Sequence, residues 1–304
     1  MHSNPLVTVI CLCYNHESFV VEALESVLNQ THKNVELIIA DDFSTDNSVQ
    51  VIENWLKKNP KIPFLINKEN LGNTKSFNQC LKIAKGEYII DLAADDILKS
   101  DCIENQLKGF ITTVHQNVGV IYGNAELFTE KGDFIKDYFI TDKQKRRIKS
   151  QPTGDIYIGL LNGNNNLCSI TALIKREVFE NLEGYDETLA YEDYDFWIRA
   201  ARIYHFDYID KILVQKRVLK NSMYTLLEKK NNKKTNNFNY STYLILKKVI
   251  HLNNKKVEFI AMLKRIHFEM TVAFKTRNFK LLIKYVYLEL KVRCIILRNR
   301  SFEI

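Results

Sequence analysis

Between residues 6 and 93, short apolar runs alternate with segments of helical periodicity, and this alternation constrains the fold more than any other feature of the chain. The run "LVTVICLCYN" (6–15) is short, apolar and rich in β-branched residues, the pattern of a strand buried on both faces. In "HESFVVEALESVLNQT", Phe19, Val20, Ala23, Leu24, Val27 and Leu28 recur at helical spacing. "VELIIADD" (35–42) reads as a second buried strand. Residues 44–60 read as a helix capped by Ser44 or Asp46 and stopped before Pro60. "IPFLIN" is a third strand, and "NTKSFNQCLKIAKG" a helix with Lys82 and Lys85 in its last turn and Gly86 suited to its end. "YIIDL" is a fourth strand. Such alternation with short connections predicts an α/β fold on a parallel sheet with right-handed crossovers.

In sheets of this kind ligands lie beyond the carboxyl ends of the strands. Tyr14-Asn15, Asp41-Asp42 and Asp95-Asp96 occupy those ends. Adjacent carboxylates repel, and the repulsion becomes useful when a hard cation such as Mg²⁺ or Mn²⁺ sits between them and a phosphate. The plainer reading of Asp95-Asp96 is a solvated strand end with Asp96 or Ser100 capping a following helix. Asp41-Asp42 can likewise serve as helix N-terminal charge, although Ser44, Thr45 and Asp46 already supply caps. Tyr14 is either a base-stacking aromatic or a half-buried one. Farther on, "VGVIYGNAELF" (118–128) reads as a strand and 129–155, containing "KQKRRIKS", as a mobile polar loop. A helix starts near Asp193, with Tyr194, Trp197, Ile198 and Ala201 as its apolar stripe and Trp197 in the core. Glu192-Asp193 at its start serves as a cap or as a carboxylate general base.

Charge divides the chain unevenly. Of its 304 residues, 43 are Lys or Arg and 36 Asp or Glu. From Tyr224 to Ile304 the count is 18 basic against 5 acidic, a net +13 on a body of net −6. The six cysteines form no Cys-x-x-Cys pair and read as free, mostly buried thiols of a reducing compartment. No signal peptide opens the chain and no segment reaches the roughly 18–20 apolar residues of a membrane span, so a cytoplasmic location is expected. The polar stretch "EKKNNKKTNNFNY" (228–240) falls in a linker expected over 223–240, between a body at 1–222 and a basic, mainly helical region at 241–304. "FKLLIKYVYLELKVRCIILRNR" (279–300) is too charged to span a bilayer but suits a helix lying at an anionic membrane surface, on the inner face of the cytoplasmic membrane. A helical cap on the body or a protein-binding surface are the other readings. Nucleic acid is not expected as a partner, since no recognised binding module accompanies the basic tail.

Three stretches in order, "VTVICLCYNHESFVVEALESVLNQTHKNVELIIADDFSTDNS", "ENLGNTKSFNQCLKIAKGEYIIDLAADD" and "GYDETLAYEDYDFWIRAA", resemble glycosyltransferase family 2 across residues 6 to about 222. The resemblance implies a GT-A (Rossmann-like) fold, a mostly parallel central sheet with flanking helices, followed here by the helical tail. It implies transfer from a nucleotide-sugar donor, UDP being the expected carrier, to a glycan or lipid-linked acceptor in bacterial surface polysaccharide assembly. Tyr14, with Asn15 beside it, and Asp41, with Asp42 beside it, would hold the nucleobase. Asp95 would contact the ribose side, Asp96 would bind Mn²⁺ or Mg²⁺, Lys75 would approach the diphosphate, and Asp193 would be the base, with Glu192 next in line. The transfer would invert configuration. The sequence departs from the family pattern in four places. "CYN" stands for the commoner "TYN", Ala93 stands where relatives carry a first acid, "NTKSFN" lacks an arginine, and Leu219 replaces a histidine in "QKRVLKNSM". The last departure leaves Arg217 as the diphosphate contact, and Ala93 opens the way to a weaker metal requirement. The rival from another class is a non-catalytic nucleotide-sugar-binding scaffold subunit. A nucleotidyltransferase would need a Gly-rich phosphate loop after the first strand, which "CYNHESF" is not.

Overall fold

The computed structural model describes residues 4–163, 167–219 and 233–298. Along the chain come β1 (Val7–Cys13), α1 (Val20–Leu28), β2 (Val35–Asp41), α2 (Ser48–Leu56), β3 (Phe64–Ile66), α3 (Asn73–Ile83), β4 (Tyr88–Ala93), β5 (Ile97–Leu98) and α4 (Cys102–Thr112). Then follow β6 (Val118–Thr129), β7 (Phe134–Asp137), α5 (Tyr157–Leu161), β8 (Leu173–Lys175), α6 (Arg176–Leu182), α7 (Asp193–Ala201) and β9 (His205–Val218). Three long helices close the described chain: α8 (Lys233–Leu252), α9 (Lys256–Lys275) and α10 (Phe279–Arg298).

The chain divides into two compact units. The first comprises residues 1–154, 167–185 and 204–219, and the second residues 155–166, 186–203 and 220–304. All strands belong to the first unit, in the order β3-β2-β1-β4-β8-β6-β9-β5 with β7 on β6. β3, β2, β1 and β4 run parallel, as the alternation predicts. β8 joins β4 and β6 antiparallel, and β9 returns parallel to β6. Every residue of β1 is buried, as expected of a central strand covered on both faces. Helices seal these faces through narrow stripes: α1 buries Val20, Ala23, Leu24 and Val27. The α3 ring of Phe77 is fully buried, with centroids 5.2 Å from Phe179 and 4.4 Å from Tyr185. Burying one such ring stabilises the unit by about 2–3 kcal/mol.

Two expectations change. Residues 129–155 are not a featureless loop, because β7 pairs antiparallel with the end of β6 and Thr141 bridges Arg147. Lys145 from the basic run is held there by Asp137 (2.7 Å) and Glu126 (3.3 Å). The stretch expected as a linker at 223–240 lies partly outside the described residues, and from Lys233 onward it is the start of α8.

In the second unit α7 buries Phe196, Trp197, Ile198, Ala200 and Ala201. Tyr191 stacks on Phe238 of α8 at 3.9 Å, and its hydroxyl shares a hydrogen bond with Thr242 (2.7 Å). Arg265 of α9 lies over the Tyr194 ring at 4.4 Å and pairs with Glu269 at 2.7 Å.

Candidate functional site

Strand register builds the site. Cys13 is level with Asp41 and Leu12 with Ala93, so the chain leaves β1, β2 and β4 at one edge of the first unit. The loops after β1 and β2 are then laced together. The Asn15 N–H donates to Ser44 Oγ (2.9 Å), His16 N–H to Ser48 Oγ (2.9 Å) and Glu17 N–H to Asp46 (3.0 Å). In return Asn15 Oδ1 accepts from Thr45 N–H (2.7 Å) and Glu17 from Asn47 N–H (2.9 Å). Asn15 takes φ 60°, a left-handed conformation it tolerates well, and Phe43 takes φ 66°, which a bulky side chain tolerates poorly. Tyr14 (46%) and Phe43 (48%) present exposed rings on these two loops. Phe43 is invisible to motif reading, since only its backbone conformation marks it.

The two acids after β2 part company. Asp41 is fully buried and accepts from the Ser44 N–H (2.8 Å) and hydroxyl (2.5 Å). Asp42 collects four donors: Leu71 N–H (2.8 Å), Asn67 Nδ2 (2.9 Å), Ser76 Oγ (3.0 Å) and Gly72 N–H (2.8 Å). Oδ1 takes three of these donors and Oδ2 one, so most of the carboxylate's roughly four lone-pair positions are engaged inside the protein. It shapes the turn into α3, where Gly72 adopts φ +84° and ψ 162°, a region open only to glycine. Asp42 thus has a structural role at this turn, with one position of Oδ2 not engaged by these bonds. Lys75 is exposed in the first turn of α3.

Asp96 is 1% exposed, not the solvated strand end of the plainer reading. β5 pairs antiparallel with β9, Ile97 opposite Gln215, which draws the next residues of β9 past Asp96. Its Oδ1 accepts the Arg217 N–H (2.9 Å), and Lys216 Nζ stands 3.9 Å from Oδ2. Burial pushes its pKa up to about 7, with Lys216 opposing, Asp95 adding to the rise and Arg217 opposing. His16 Nδ1 is buried 3.4 Å from Asp95 Oδ1 without hydrogen-bond geometry.

The Arg217 guanidinium is committed elsewhere. It lies between the rings of Phe19 (4.3 Å) and Phe128 (4.4 Å). It also pairs with Glu22 (2.6 Å) and donates to the carbonyls of Asp95 (3.2 Å) and Glu130 (3.3 Å). These contacts do not support Arg217 as the diphosphate ligand. The sequence reading missed its neighbour Lys216, which keeps 38% of its side chain exposed beside Asp96.

A divalent cation fits this end of the first unit. Asp95 and Asp96 offer hard oxygen donors, and Asp96 is a buried carboxylate with one N–H on Oδ1 and the Lys216 ammonium 3.9 Å from Oδ2. Among the described residues no group of three or more His, Cys, Asp or Glu side chains forms a metal cage. The donor set therefore suits an ion that takes its remaining ligands from phosphate oxygens and water.

Glu192 and Asp193 belong to the second unit, both half-buried. Asp193 is the first residue of α7 and its Oδ1 accepts the Tyr194 N–H (2.6 Å), while the Glu192 carbonyl accepts the Phe196 N–H (3.0 Å). The next acid, Asp195, is buried and structural, paired with Arg199 (2.7 Å) and Lys248 (3.2 Å).

Comparison with known proteins bears on the fold and the family. An uncharacterized glycosyltransferase of Methanocaldococcus jannaschii, MJ1057, is 28% identical over 289 residues, covering 94% of this chain and 89% of that protein. The structure of S. aureus TarS 1–349 in complex with UDP-GlcNAc superposes with a TM-score of 0.69 at 16% identity, over 94% of this chain and 81% of that one. The mannosyltransferase PcManGT of Pyrobaculum calidifontis, in complex with GDP-Man and Mn²⁺, gives 0.57 at 16% identity, over 99% and 89%. At such identities the structural likeness speaks for the fold, that of GT-A glycosyltransferases. The model of glycosyl transferase family 2 matches residues 8–182, from β1 to the end of α6. That match spans more than half of the chain and takes in the ends of β1, β2 and β4 with the pairs Asp41-Asp42 and Asp95-Asp96, and the chain belongs to glycosyl transferase family 2.

Proposed function

We propose that the protein is an inverting glycosyltransferase that moves a sugar from a nucleoside diphosphate donor, UDP by preference, to a hydroxyl of a glycan or lipid-linked acceptor at the inner face of a bacterial cytoplasmic membrane, in surface polysaccharide assembly. The observation that carries this reading is the buried Asp96 carboxylate, with Lys216 Nζ 3.9 Å from its Oδ2, at the edge where β1, β2 and β4 end. TarS with UDP-GlcNAc and PcManGT with GDP-Man and Mn²⁺ support a donor and a divalent ion of these classes.

Tyr14, Asn15 and Asp41 form the nucleobase end, with the loops around them locked by the Ser44 and Thr45 bonds. Asp95 faces the ribose side. Asp96 would hold Mn²⁺ or Mg²⁺, and the ion would supply Lewis-acid neutralisation of the leaving diphosphate. Lys75 and Lys216 add positive charge for the same leaving group, and Lys216 partly offsets the charge of Asp96 when no metal is bound. Asp193 takes the proton of the acceptor hydroxyl as that oxygen bonds to the anomeric carbon and the bond to the diphosphate oxygen breaks, with Glu192 as its neighbour. One displacement through an oxocarbenium-like transition state turns an α-linked donor into a β-linked product.

A panel of nucleotide sugars assayed for nucleoside diphosphate release, with Mn²⁺ and with chelator, tests the reading. Release from a UDP-sugar is expected, and Asp193→Asn should lower it by about 10²–10⁴-fold while leaving UDP binding in place. A wild-type protein that binds donors and turns over none, with any acceptor fraction supplied, would instead be a scaffold.

A further inference from the structure

We infer that helix α10 carries a lipid-docking face that seats the protein on an anionic membrane surface. This rests on the membrane location of the proposed function and deepens it, and it does not depend on transfer activity. A helix of a compact unit ordinarily buries one apolar stripe, and α10 does so with Leu281, Tyr285, Leu288 and Val292. It also carries a second stripe. Ile283, Tyr287, Leu290 and Leu297 are exposed at 69, 70, 56 and 76%, and the exposed Cys294 completes the series. At about 100° per residue the two stripes lie on opposite sides of the helix. Scattered exposed apolar residues are ordinary, whereas a continuous row of them marks an interaction surface.

Charge along this row selects the partner. Lys280, Lys284, Lys291 and Arg298 recur with helical spacing along one flank of the exposed stripe. Lys284 additionally lies 5.3 and 5.5 Å from the ring centroids of Tyr240 and Tyr243 on α8, at the edge of the face nearer that helix. The one acid of α10, Glu289, is already bound by His267 (2.9 Å) and Arg293 (2.7 Å) and faces away from this flank. An apolar strip edged by cations matches a headgroup boundary of anionic lipid, with the strip entering the acyl region and the cations at the phosphates. A second copy of the chain packed face to face would set like-charged rows near each other. Among the described residues no helix is long and apolar enough to cross a membrane, so α10 would lie along the surface.

The test is sedimentation of the full chain with vesicles of pure phosphatidylcholine and of phosphatidylcholine with phosphatidylglycerol, without donor or acceptor. Binding to the mixed vesicles that weakens with salt, and little binding to the neutral ones, is expected. Each basic side chain near such a surface is worth about fivefold in partitioning, so Lys280→Gln with Lys291→Gln should weaken binding about thirtyfold. Tyr287→Ser with Leu290→Ser should weaken it at least as much, with circular dichroism, melting temperature and UDP affinity unchanged. Equal binding by the wild type and both double variants would overturn the proposal. So would absence of vesicle binding, whether the chain stays monomeric or forms a dimer that Leu290→Ser dissociates. None of these outcomes bears on turnover, so failure here and failure of the transfer reading are separable.

Discussion

Phe43 holds φ 66° beside the buried Asp41. A side chain with a Cβ pays roughly 1–2 kcal/mol in that region, and asparagine bears it better than phenylalanine. Phe43→Asn should therefore raise unfolding stability by about 1 kcal/mol in urea titrations, and any loss of UDP affinity in the same variant would assign the exposed ring to donor binding. Arg217 makes the opposite case. Lysine lacks the planar fork that lies between two rings and reaches Glu22 and two carbonyls. Arg217→Lys should cost about 2–3 kcal/mol of stability, with UDP affinity of the folded protein nearly unchanged by calorimetry. The stretch "QKR" announces two adjacent cations. Which of them faces Asp96 depends on strand pairing, and pairing between β5 and β9 spans more than a hundred residues of sequence. Local pattern has no access to that register.

Elements with strong local periodicity were legible, and elements defined by their partners were not. β1, α1, β2, α3 and β4 follow their apolar patterns closely. β7 does not, because three of its four residues are exposed and it exists only as a partner of β6. In the second unit, α7 and α8 are joined through ions no motif reveals: Lys248 of α8 bonds Asp186 and stands 3.2 Å from Asp195. Burial alone would raise the Asp186 pKa, but the hydrogen bonds from Lys248 and Thr188 outweigh it and bring it down to about 2. A carboxyl depressed on folding contributes stability above its unfolded value of 3.8, and that contribution is lost as pH falls from there towards 2. Lys248→Met should remove about 1 kcal/mol at pH 7, allowing for solvent screening of the half-exposed ammonium. The deficit relative to wild type should shrink as unfolding is followed from pH 4 down to pH 2.

At the scale of the whole chain, the residues assigned to the donor belong to the first unit and the assigned base to the second. Binding and proton transfer should then be separable by mutation. Asp193→Asn should keep UDP affinity within about threefold of wild type, whereas Asp96→Asn should weaken UDP binding in Mn²⁺ by about tenfold or more, since a phosphate-bound ion loses its protein carboxylate. Isothermal titration with UDP, with Mn²⁺ and with chelator, reads both. Equal losses in the two variants would argue against the division of roles.

The amino-acid order alone carries the parallel α/β core and the acids at its strand ends, because each arises from periodicity and residue type within some 10–20 neighbouring residues, while the family shows as a resemblance of longer stretches in order. Tertiary structure decided the surroundings of those acids. Asp42 is engaged by donors from the turn into α3, Asp96 is buried by the return of β9, and Lys216 rather than Arg217 is left beside it. Those outcomes depend on contacts between segments distant in sequence, which set the burial and the hydrogen-bond partners of each charged group.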